Sequence, residues 1–524
     1  MMNSKNNIQL IIPMSGLGQR FVDKGYQNPK PLIDIDGSPI IKHVVDLFEG
    51  VSDIIFICNE KHLKETNMLS VLKSISPNAQ IFSIPCHKKG PVYAVSKIFD
   101  NINDKKEIII SYCDYGTVWD FDEFLAKARS ENFDGSIPCY KGFHPHMLGS
   151  DNYAFCKEND KVLVEIKEKE PFTGDKMQEY ASNGTYYFKT GRLVKKFFQK
   201  ALDLKCSING EYYVSLVYNL LVSEGLKVNI FEIEKMLQWG TPYDLEIYKS
   251  WLNYFSSIKK RDFKPKAHCD TTLILPMAGK GSRFEKEGYN KPKPLIDLDG
   301  SPMAIKALES LPQCKDQIFV ALQEHDNLYQ IKDQIKRFYP KSNTILIGGP
   351  TEGQACTTCM AIEESKLDLD QPILVSACDN GAYYDVDAYM SLYNDESIDI
   401  IVWSFRNNQA SKVNPDMYSW LDVDQNDNIK HVHCKNFIFD DPLKCHAIIG
   451  TMFFRKARYF IEGFQRNLKQ NIRTNGEFYV DDILNQNINM GLNVKVFEVE
   501  HYICWGTPND YKTYNYWKDH FDKS

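Results

Sequence analysis

The sequence PMSGLGQRF at residues 13–21, followed by NPKPLI at residues 28–33, decides the fold of this chain. It comes directly after IQLII at residues 8–12, an apolar run that predicts a buried strand. Downstream, further apolar runs alternate with segments of helical periodicity. This alternation predicts an α/β fold in which a mostly parallel sheet is covered by helices on both faces.

The glycine-rich turn has the composition of a phosphate-binding loop. Gly16 and Gly18 leave backbone N–H groups bare, because a Cβ at either position would keep a phosphate away from them. Arg20 offers a planar fork of donors, and Lys30 offers a compact positive charge. We therefore expect this segment to hold a polyphosphate.

The same pattern occurs a second time, 263 residues later. Between residues 13–39 and residues 276–302, 18 of 27 positions are identical. Matching motifs continue at a nearly constant offset to the tryptophan motifs WGTPYD at 239–244 and WGTPND at 505–510. A repeat of this length indicates a duplication.

The duplication predicts two domains of the same fold, which we place at residues 1–256 and 271–524. The segment between them, residues 257–270, is charged and aperiodic, and we interpret it as a linker.

Composition limits the kinds of function that the chain can have. The net charge of −7 argues against a nucleic-acid partner, which would require a basic face. No apolar run approaches membrane-spanning length, no signal peptide precedes the first strand, and the 14 cysteines lack disulfide-framework spacing. These features predict a cytoplasmic protein with reduced thiols and no membrane partner, and they leave an oligomer possible.

A carboxylate ends the corresponding strand of each half. Asp114 follows the apolar run at 108–110, and Asp379 follows the run at 373–375. Ligands of open α/β sheets bind at the carboxyl ends of strands, and a buried Asp there requires a cationic partner.

In order, the motifs are Gly-x-Gly-x-Arg-Phe, Pro-Lys-Pro-Leu, a strand ending in Asp, Glu-Lys, and Gly-x-Tyr-x-Phe. This order resembles the sugar-phosphate nucleotidyltransferases, the pyrophosphorylases that make nucleotide sugars, here in two tandem copies. The resemblance implies two tandem Rossmann-like nucleotidyltransferase domains, each on a mostly parallel mixed sheet of the GT-A-like kind. The ending Trp-Gly-Thr-Pro-x-Asp resembles a branch often found in capsule and lipopolysaccharide gene clusters.

The resemblance also implies a reaction and its residues. A sugar phosphate would attack the α-phosphorus of a nucleoside triphosphate and expel pyrophosphate, so the protein must mainly position groups and neutralise charge. The implied catalytic residues are Arg20, Lys30, Asp114 and Lys169 in the first half and Arg283, Lys293, Asp379 and Lys435 in the second. The implied nucleotide-binding residues are Met14, Gly16, Gly18, Gly90, Pro91, Met277, Gly279, Gly281, Gly353 and Gln354.

Acceptor and metal residues follow from the same resemblance. The acceptor-binding residues are Glu168, Asn183, Gly184, Glu211, Cys434, Gly450 and Glu477. Asp114 and Asp379 are expected to bind Mg²⁺. The family commonly places a second metal-binding Asp where this chain has Gln238 and Cys504, so a second carboxylate ligand is in doubt.

Asp244 and Asp510 could be mistaken for metal ligands. Each follows Thr at N-cap and Pro at N1, so a helix capping box explains these residues.

The two halves differ at the acceptor end, where Glu168 corresponds to Cys434 and Asn183 to Ile449. This difference predicts either two active sites with different acceptors or one active and one degenerate half.

Three alternatives remain open. The chain could be a GT-A glycosyltransferase, a nucleotide-sensing scaffold, or a cytidylyltransferase that acts on a non-sugar phosphate such as an aminoalcohol phosphate. The sequence identifies neither the base of the triphosphate nor the acceptor, because backbone groups recognise the base in such loops.

Overall fold

The structure is a computed structural model, which describes residues 5–260 and 267–523. Contacts divide the chain into two compact units, Met1–Leu252 and Asn253–Ser524. The predicted linker at 257–270 differs from the structure at both ends, because residues 257–260 are helical and residues 268–270 are in a strand; residues 261–266 lie outside the described residues. No helix in the described ranges is long and apolar enough to cross a membrane.

The first unit alternates strands and helices through most of its length. Its strands are β1 (Ile8–Met14), β2 (Asp34–Ile35), β3 (Ser38–Pro39), β4 (Asp53–Asn59), β5 (Gln80–Ile84), β6 (Glu107–Ser111), β7 (Tyr115–Val118), β8 (Gly135–Tyr140), β9 (Ala154–Asn159), β10 (Val162–Glu168), β11 (Tyr180–Ser182), β12 (Thr185–Phe188), β13 (Val228–Glu232) and β14 (Lys235–Gln238). Its helices are α1 (Gln19–Asp23), α2 (Ile40–Asp46), α3 (Glu60–Glu65), α4 (Met68–Ile75), α5 (Gly90–Ser96), α6 (Phe121–Ser130), α7 (Gly191–Asp203), α8 (Val214–Ser223) and α9 (Pro242–Lys260), which continues past the unit boundary.

The main sheet of this unit has the order β11-β9-β10-β13-β8-β12-β6-β1-β4-β5. The neighbours β5, β4, β1 and β6 pair in parallel, and so do β13 and β8. Every pair that includes β9, β10, β11 or β12 is antiparallel. The sheet is therefore mixed. The parallel arrangement predicted from β–α alternation holds for the first strands. Among the later strands, β9 and β10 form an antiparallel hairpin, and β12 runs antiparallel to both β6 and β8.

The second unit repeats these elements. Its strands are β15 (His268–Pro276), β16 (Asp297–Leu298), β17 (Ser301–Pro302), β18 (Gln313–Leu322), β19 (Asn343–Ile347), β20 (Ile373–Val375), β21 (Asn380–Tyr383), β22 (Ile400–Phe405), β23 (Trp420–Val423), β24 (Ile429–His433), β25 (His446–Phe454), β26 (Val494–Glu498) and β27 (His501–Cys504). Its helices are α10 (Ser282–Lys286), α11 (Met303–Glu309), α12 (Gln323–Tyr329), α13 (Ile331–Phe338), α14 (Gln354–Glu364), α15 (Val386–Asn394), α16 (Ala457–Gln470), α17 (Val480–Asn489) and α18 (Pro508–Lys523).

The second sheet runs β19-β18-β15-β20-β25-β22-β26, with β23 and β24 attached beside β25. This order matches β5-β4-β1-β6-β12-β8-β13 of the first sheet strand for strand. Buried side chains, mostly apolar, fill both sides of the inner strands such as β1, β4 and β6, as the uninterrupted apolar runs predict, whereas the edge strand β5 is mostly exposed or half-buried. The two units therefore share one mixed α/β topology.

In each unit a small two-stranded sheet carries the strand-end carboxylate. β7 pairs antiparallel with β14, and β21 pairs antiparallel with β27. Because Asp114 and Asp379 lie directly before β7 and β21, this pairing brings the tryptophan motifs beside them.

Candidate functional site

The two glycine-rich loops adopt the same backbone conformation. Gly18 and Gly281 both have φ of +63° and stand at the N-caps of α1 and α10. A left-handed conformation favours glycine, which explains the second glycine of each loop. Ideal Cβ atoms at Gly16 and Gly279 would have no heavy atom within 4 Å, so the first glycine of each loop faces open space.

A lysine–aspartate pair lies beside each loop. Lys30 Nζ is 2.5 Å from Asp114 Oδ2, and Lys293 Nζ is 2.6 Å from Asp379 Oδ2. The four side chains are only 19–24% exposed. The structure thus brings together the two residue types that the sequence predicted, in both units.

The electrostatics favour the charged forms of Lys30, Lys293 and Asp379. Burial lowers the pKa of Lys30 and of Lys293, but the charge of the neighbouring Asp outweighs it and the net shift is upward. Burial raises the pKa of Asp379, yet the charge and hydrogen bond of Lys293 outweigh it, so this pKa is lowered. Both lysines therefore remain cationic at neutral pH.

The tryptophan motif closes over the carboxylate. The backbone N–H of Trp239 donates to the backbone oxygen of Asp114 at 3.2 Å. A Cβ at Gly240 would lie 3.1 Å from Asp114 Oδ2, and one at Gly506 would lie 3.1 Å from Asp379 Oδ2. Glycine at these positions therefore keeps space open beside each carboxylate.

The positions where the family commonly has a second Asp are engaged with the backbone here. Gln238 Oε1 accepts from Gly240 N–H at 3.1 Å, and Cys504 Sγ accepts from Gly506 N–H at 3.4 Å. No group of three or more His, Cys, Asp or Glu in residues 5–260 and 267–523 is arranged to hold a metal ion. A single carboxylate oxygen per unit fits Mg²⁺ that is otherwise held by water and substrate phosphates.

The predicted arginines lie at the exposed rim of the loops, in α1 and α10. Burial raises the pKa of Asp244 to about 6, against a hydrogen bond from Thr241 and the charge of Arg20. In the second unit, burial raises the pKa of Tyr479 while Arg283 opposes the shift. The charge of Arg20 therefore acts on Asp244, and the charge of Arg283 acts on Tyr479.

Asp244 and Asp510 form capping boxes, as the sequence predicted. Thr241 Oγ1 donates to Asp244 Oδ2 at 2.6 Å and accepts from Asp244 N–H at 3.1 Å. Thr507 and Asp510 repeat this exchange at 2.7 and 3.2 Å.

An Asn-Gly turn precedes the glutamate–tyrosine segment of each unit. Asn209 and Gly210 both have positive φ, and so do Asn475 and Gly476, which gives each turn two left-handed residues. Glu211 follows the first turn and accepts a hydrogen bond from the Tyr213 hydroxyl. Glu477, in the equivalent position, is exposed.

Lys169 lies beside Tyr213 in the first unit, and Lys435 lies beside the equivalent Tyr479 in the second. Lys169 Nζ donates to Tyr213 Oη at 2.7 Å, and Lys435 Nζ lies 5.6 Å from the ring centre of Tyr479. Both lysines have positive φ, 60° and 50°, which is strained for a residue with a side chain. The two lysines at equivalent positions therefore share a left-handed backbone conformation. Sequence reasoning did not single out the tyrosines, although the Asn-Gly-Glu-aromatic-Tyr motif carries them in both halves.

Several predicted nucleotide-binding residues are buried or packed closely against the backbone of another segment. Met14 and Met277 are 4% and 2% exposed, so only their backbone could face a nucleotide. A Cβ at Gly90 would lie 2.7 Å from the Tyr212 backbone oxygen, which requires glycine for close packing. Gly353 approaches the backbone of Phe478 in the same way, at 2.5 Å. Pro91 and Gln354 are in the first turns of α5 and α14.

Asn183 is not free to contact an acceptor through its side chain. It is 2% exposed, its Nδ2 donates to Thr117 Oγ1 at 2.9 Å, and its Oδ1 accepts from Thr185 N–H at 2.9 Å. Gly184 and Gly450 have φ of +98° and +86° and lie against Tyr112 and Ala377.

Parts of this chain are similar to known proteins. Residues 10–168 match the family model described as MobA-like NTP transferase domain. Residues 10–168 are therefore similar to an NTP transferase domain, and this match supports an enzyme of the nucleotidyltransferase class. None of the curated proteins matches the chain.

Solved structures resemble about half of the chain each. The nucleoside-diphosphate-sugar pyrophosphorylase of Vibrio cholerae RC9 is 19% identical, covering 46% of this chain and 98% of its own, with a TM-score of 0.37. A protein described as glucose-1-phosphate thymidylyltransferase from Bacillus anthracis is 19% identical over 46% and 94%, with a TM-score of 0.38. The inositol-1-phosphate CTP transferase of T. maritima is 15% identical over 49% and 98%, with a TM-score of 0.37.

Proposed function

We propose that each unit transfers a nucleoside monophosphate from a nucleoside triphosphate to a sugar phosphate, or a related small phosphate, and releases pyrophosphate. The observation that carries this proposal is the buried Lys–Asp pair beside a left-handed glycine loop, built in the same way in both units. The tandem arrangement of two nucleotidyltransferase domains is part of the proposal, and the shared strand order supports it.

The reaction forms one phosphorus–oxygen bond and breaks another. An oxygen of the acceptor phosphate attacks the α-phosphorus in line, and the bond from this phosphorus to the oxygen that bridges to the β-phosphorus breaks. The electron pair leaves with that oxygen as pyrophosphate. The protein's contribution to such a transfer is positioning and charge neutralisation.

Each charged residue has a defined task. Lys30 has three N–H donors; Asp114 takes one at 2.5 Å and the Gly240 carbonyl lies 3.4 Å away, so at least one remains for the α-phosphate. Arg20, at the exposed rim, neutralises the departing pyrophosphate. Lys169 holds the acceptor phosphate. Lys293, Arg283 and Lys435 perform these tasks in the second unit.

Asp114 and Asp379 would hold Mg²⁺, whose chemistry there is to offset the phosphate charge. We infer a cytoplasmic enzyme, supported by its 14 cysteines, all of which are free. A role in capsule or lipopolysaccharide precursor synthesis rests on the resemblance of the tryptophan motif.

The test is pyrophosphate release with Mg²⁺ over a grid of the common nucleoside triphosphates against pooled sugar 1-phosphates and other small phosphomonoesters. The intact chain is compared with the Asp114→Asn and Asp379→Asn variants. We expect two separable triphosphate–acceptor pairs, each lost in one variant only. Loss of all turnover in one variant with no change in the other would mean a single active unit. Absence of pyrophosphate in every combination would contradict the proposal.

A further inference from the structure

At two pairs of equivalent positions, the acidic residue of the first unit and that of the second unit stand at different positions. Glu168 and Cys434 are 266 residues apart, and so are Ser215 and Asp481. In the first unit the acid ends β10 and a hydroxyl stands at the second residue of α8. In the second unit a thiol follows β24 and the acid stands at the second residue of α17.

In both units the acid lies between the same two elements. Ser215 Oγ donates to Glu168 Oε2 at 2.6 Å. In the second unit, Ser419 Oγ donates to Asp481 Oδ2 at 2.5 Å and lies 3.5 Å from Cys434 Sγ. Each acid therefore has a serine hydroxyl as its partner, although the serine comes from a different element.

The two acids also share their electrostatic surroundings. Burial raises the pKa of Glu168 to about 6, against a hydrogen bond from Ser215 and the charge of Lys169. Burial raises the pKa of Asp481, against the charge of Lys435. Glu168 directly precedes Lys169 in the chain, and Asp481 shares its partner Ser419 with Cys434, which directly precedes Lys435, so each carboxyl group lies near the lysine that holds the acceptor phosphate in the proposed function. The charge of Lys435 also reaches Asp379, which it helps to keep ionised after the larger contribution of Lys293.

We propose that Asp481 is the acceptor-binding carboxylate of the second unit, in the place that Glu168 has in the first. The acceptor of the second unit is then a phosphomonoester whose organic part presents a hydroxyl group to helix α17. This inference rests on the proposed function, because it assumes that Lys435 holds the acceptor phosphate. It replaces the prediction that Cys434 binds the acceptor, since the Cys434 thiol is a neighbour of the carboxylate.

The two units then recognise their acceptors with carboxylates that come from different, neighbouring elements. A carboxylate at the end of β10 reaches the acceptor from the sheet, whereas Asp481 reaches it from the helix and with a side chain one methylene shorter. An acceptor whose hydroxyl group lies at hydrogen-bond distance from one carboxylate would lie too far from the other carboxylate. The exchange therefore predicts different acceptors for the two units.

The first test measures turnover of the second unit alone, in the intact chain carrying Asp114→Asn. We expect Asp481→Asn to raise the KM of the acceptor about tenfold or more, since a hydrogen bond to a charged group is lost, and to leave the KM of the triphosphate within about twofold. The matched control is Asp482→Asn, an identical change one residue along the same helix, where the carboxylate accepts from Thr474 at 2.9 Å. An equal effect of Asp482→Asn, or an equal rise in both KM values, would overturn the inference.

A second test does not depend on turnover. Pooled sugar 1-phosphates are added to the chain carrying Glu168→Gln, and the rise in its unfolding midpoint reports binding at the second unit. We expect Asp481→Asn to abolish this rise and Asp482→Asn to keep it. No rise with Asp481 intact, or a rise that persists in Asp481→Asn, would contradict the assignment. Binding without pyrophosphate release would instead refute the proposed reaction and leave the acceptor site standing.

Discussion

The phosphate side of the pocket is nearly the same in the two units, whereas the acceptor side differs. Gly18 and Gly281 share a φ of +63°, and the Lys–Asp distances differ by only 0.1 Å between 2.5 and 2.6 Å. Across the pocket, by contrast, the acid moves from Glu168 on a strand to Asp481 on a helix. Under the proposed function, the comparison teaches that the residues that handle phosphate are kept in both units, whereas the residues that recognise the acceptor differ.

The loops before α5 and α14 show a further difference. In the first unit His87, Lys88 and Lys89 precede Gly90, and His87 Nε2 lies 3.1 Å from Ser15 Oγ. In the second unit Pro350, Thr351 and Glu352 occupy these positions. The charge of the loop before this helix therefore differs between the units, although the Lys–Asp pair does not.

The largest expected effect comes from breaking one Lys–Asp pair at a time. Lys30→Met should lower kcat/KM of the first unit's reaction by about 10²–10³-fold, because a positioned charge on the reacting phosphate is lost. Lys293→Met should do the same for the second reaction only. Steady-state pyrophosphate release with each acceptor checks this, with Lys24→Met, an exposed lysine, as the control. Equal loss of both reactions in either variant would show that the units do not act separately.

A smaller effect separates glycines that serve packing from glycines that serve a ligand. Gly90→Ala and Gly353→Ala should each lower the free energy of unfolding by about 1–3 kcal/mol, because the added methyl would overlap the Tyr212 or Phe478 backbone. Gly16→Ala should change it by less than about 0.5 kcal/mol and still weaken triphosphate binding. Denaturant unfolding and nucleotide titration distinguish the two classes. A stable Gly90→Ala variant would contradict the packing explanation.

A pH-dependent difference should follow from Glu168. Burial raises its pKa from the ordinary 4.5 to about 6, so the folded protein binds this proton more tightly than the unfolded chain does. The resulting stability is fully present below about pH 4.5 and is lost as pH rises through 6. Unfolding midpoints of the wild type should therefore fall relative to Glu168→Gln across this window and stay at a constant difference above about pH 7.

Asp481→Asn offers the matching comparison in the second unit, where burial also raises the carboxyl pKa. Its midpoint curve should diverge from the wild type in the same direction. Curves that run parallel to the wild type for both variants would mean that neither carboxyl has a raised pKa.

The sequence predicted what is encoded locally and repeated. The strand before Gly16, the capping boxes and the strand-end aspartates depend on neighbouring residues, and their recurrence 263 to 266 residues later separated them from chance. A cationic partner for Asp114 could be anticipated because a buried strand-end carboxylate requires one, but its identity as Lys30 came from the structure.

Other features depend on contacts between distant segments. The burial of Asn183 between Thr117 and Thr185, and the collision that makes Gly90 necessary, follow from how strands and loops pack. Antiparallel pairing of the later strands also depends on sheet assembly rather than on any local pattern. The proposed role of Asp481 could be recognised only from the packing of α17 against β24, which no single stretch of sequence predicts.

The most direct test of the two-site account is the stoichiometry of nucleotide binding to the intact chain. Calorimetric titration would use a nucleoside triphosphate with a methylene bridge between the α- and β-phosphorus, in the presence of Mg²⁺, for each base that supports turnover. The account predicts two binding events per chain in total, with one lost in Lys30→Met and the other lost in Lys293→Met. A single event that is insensitive to one of these substitutions would contradict it.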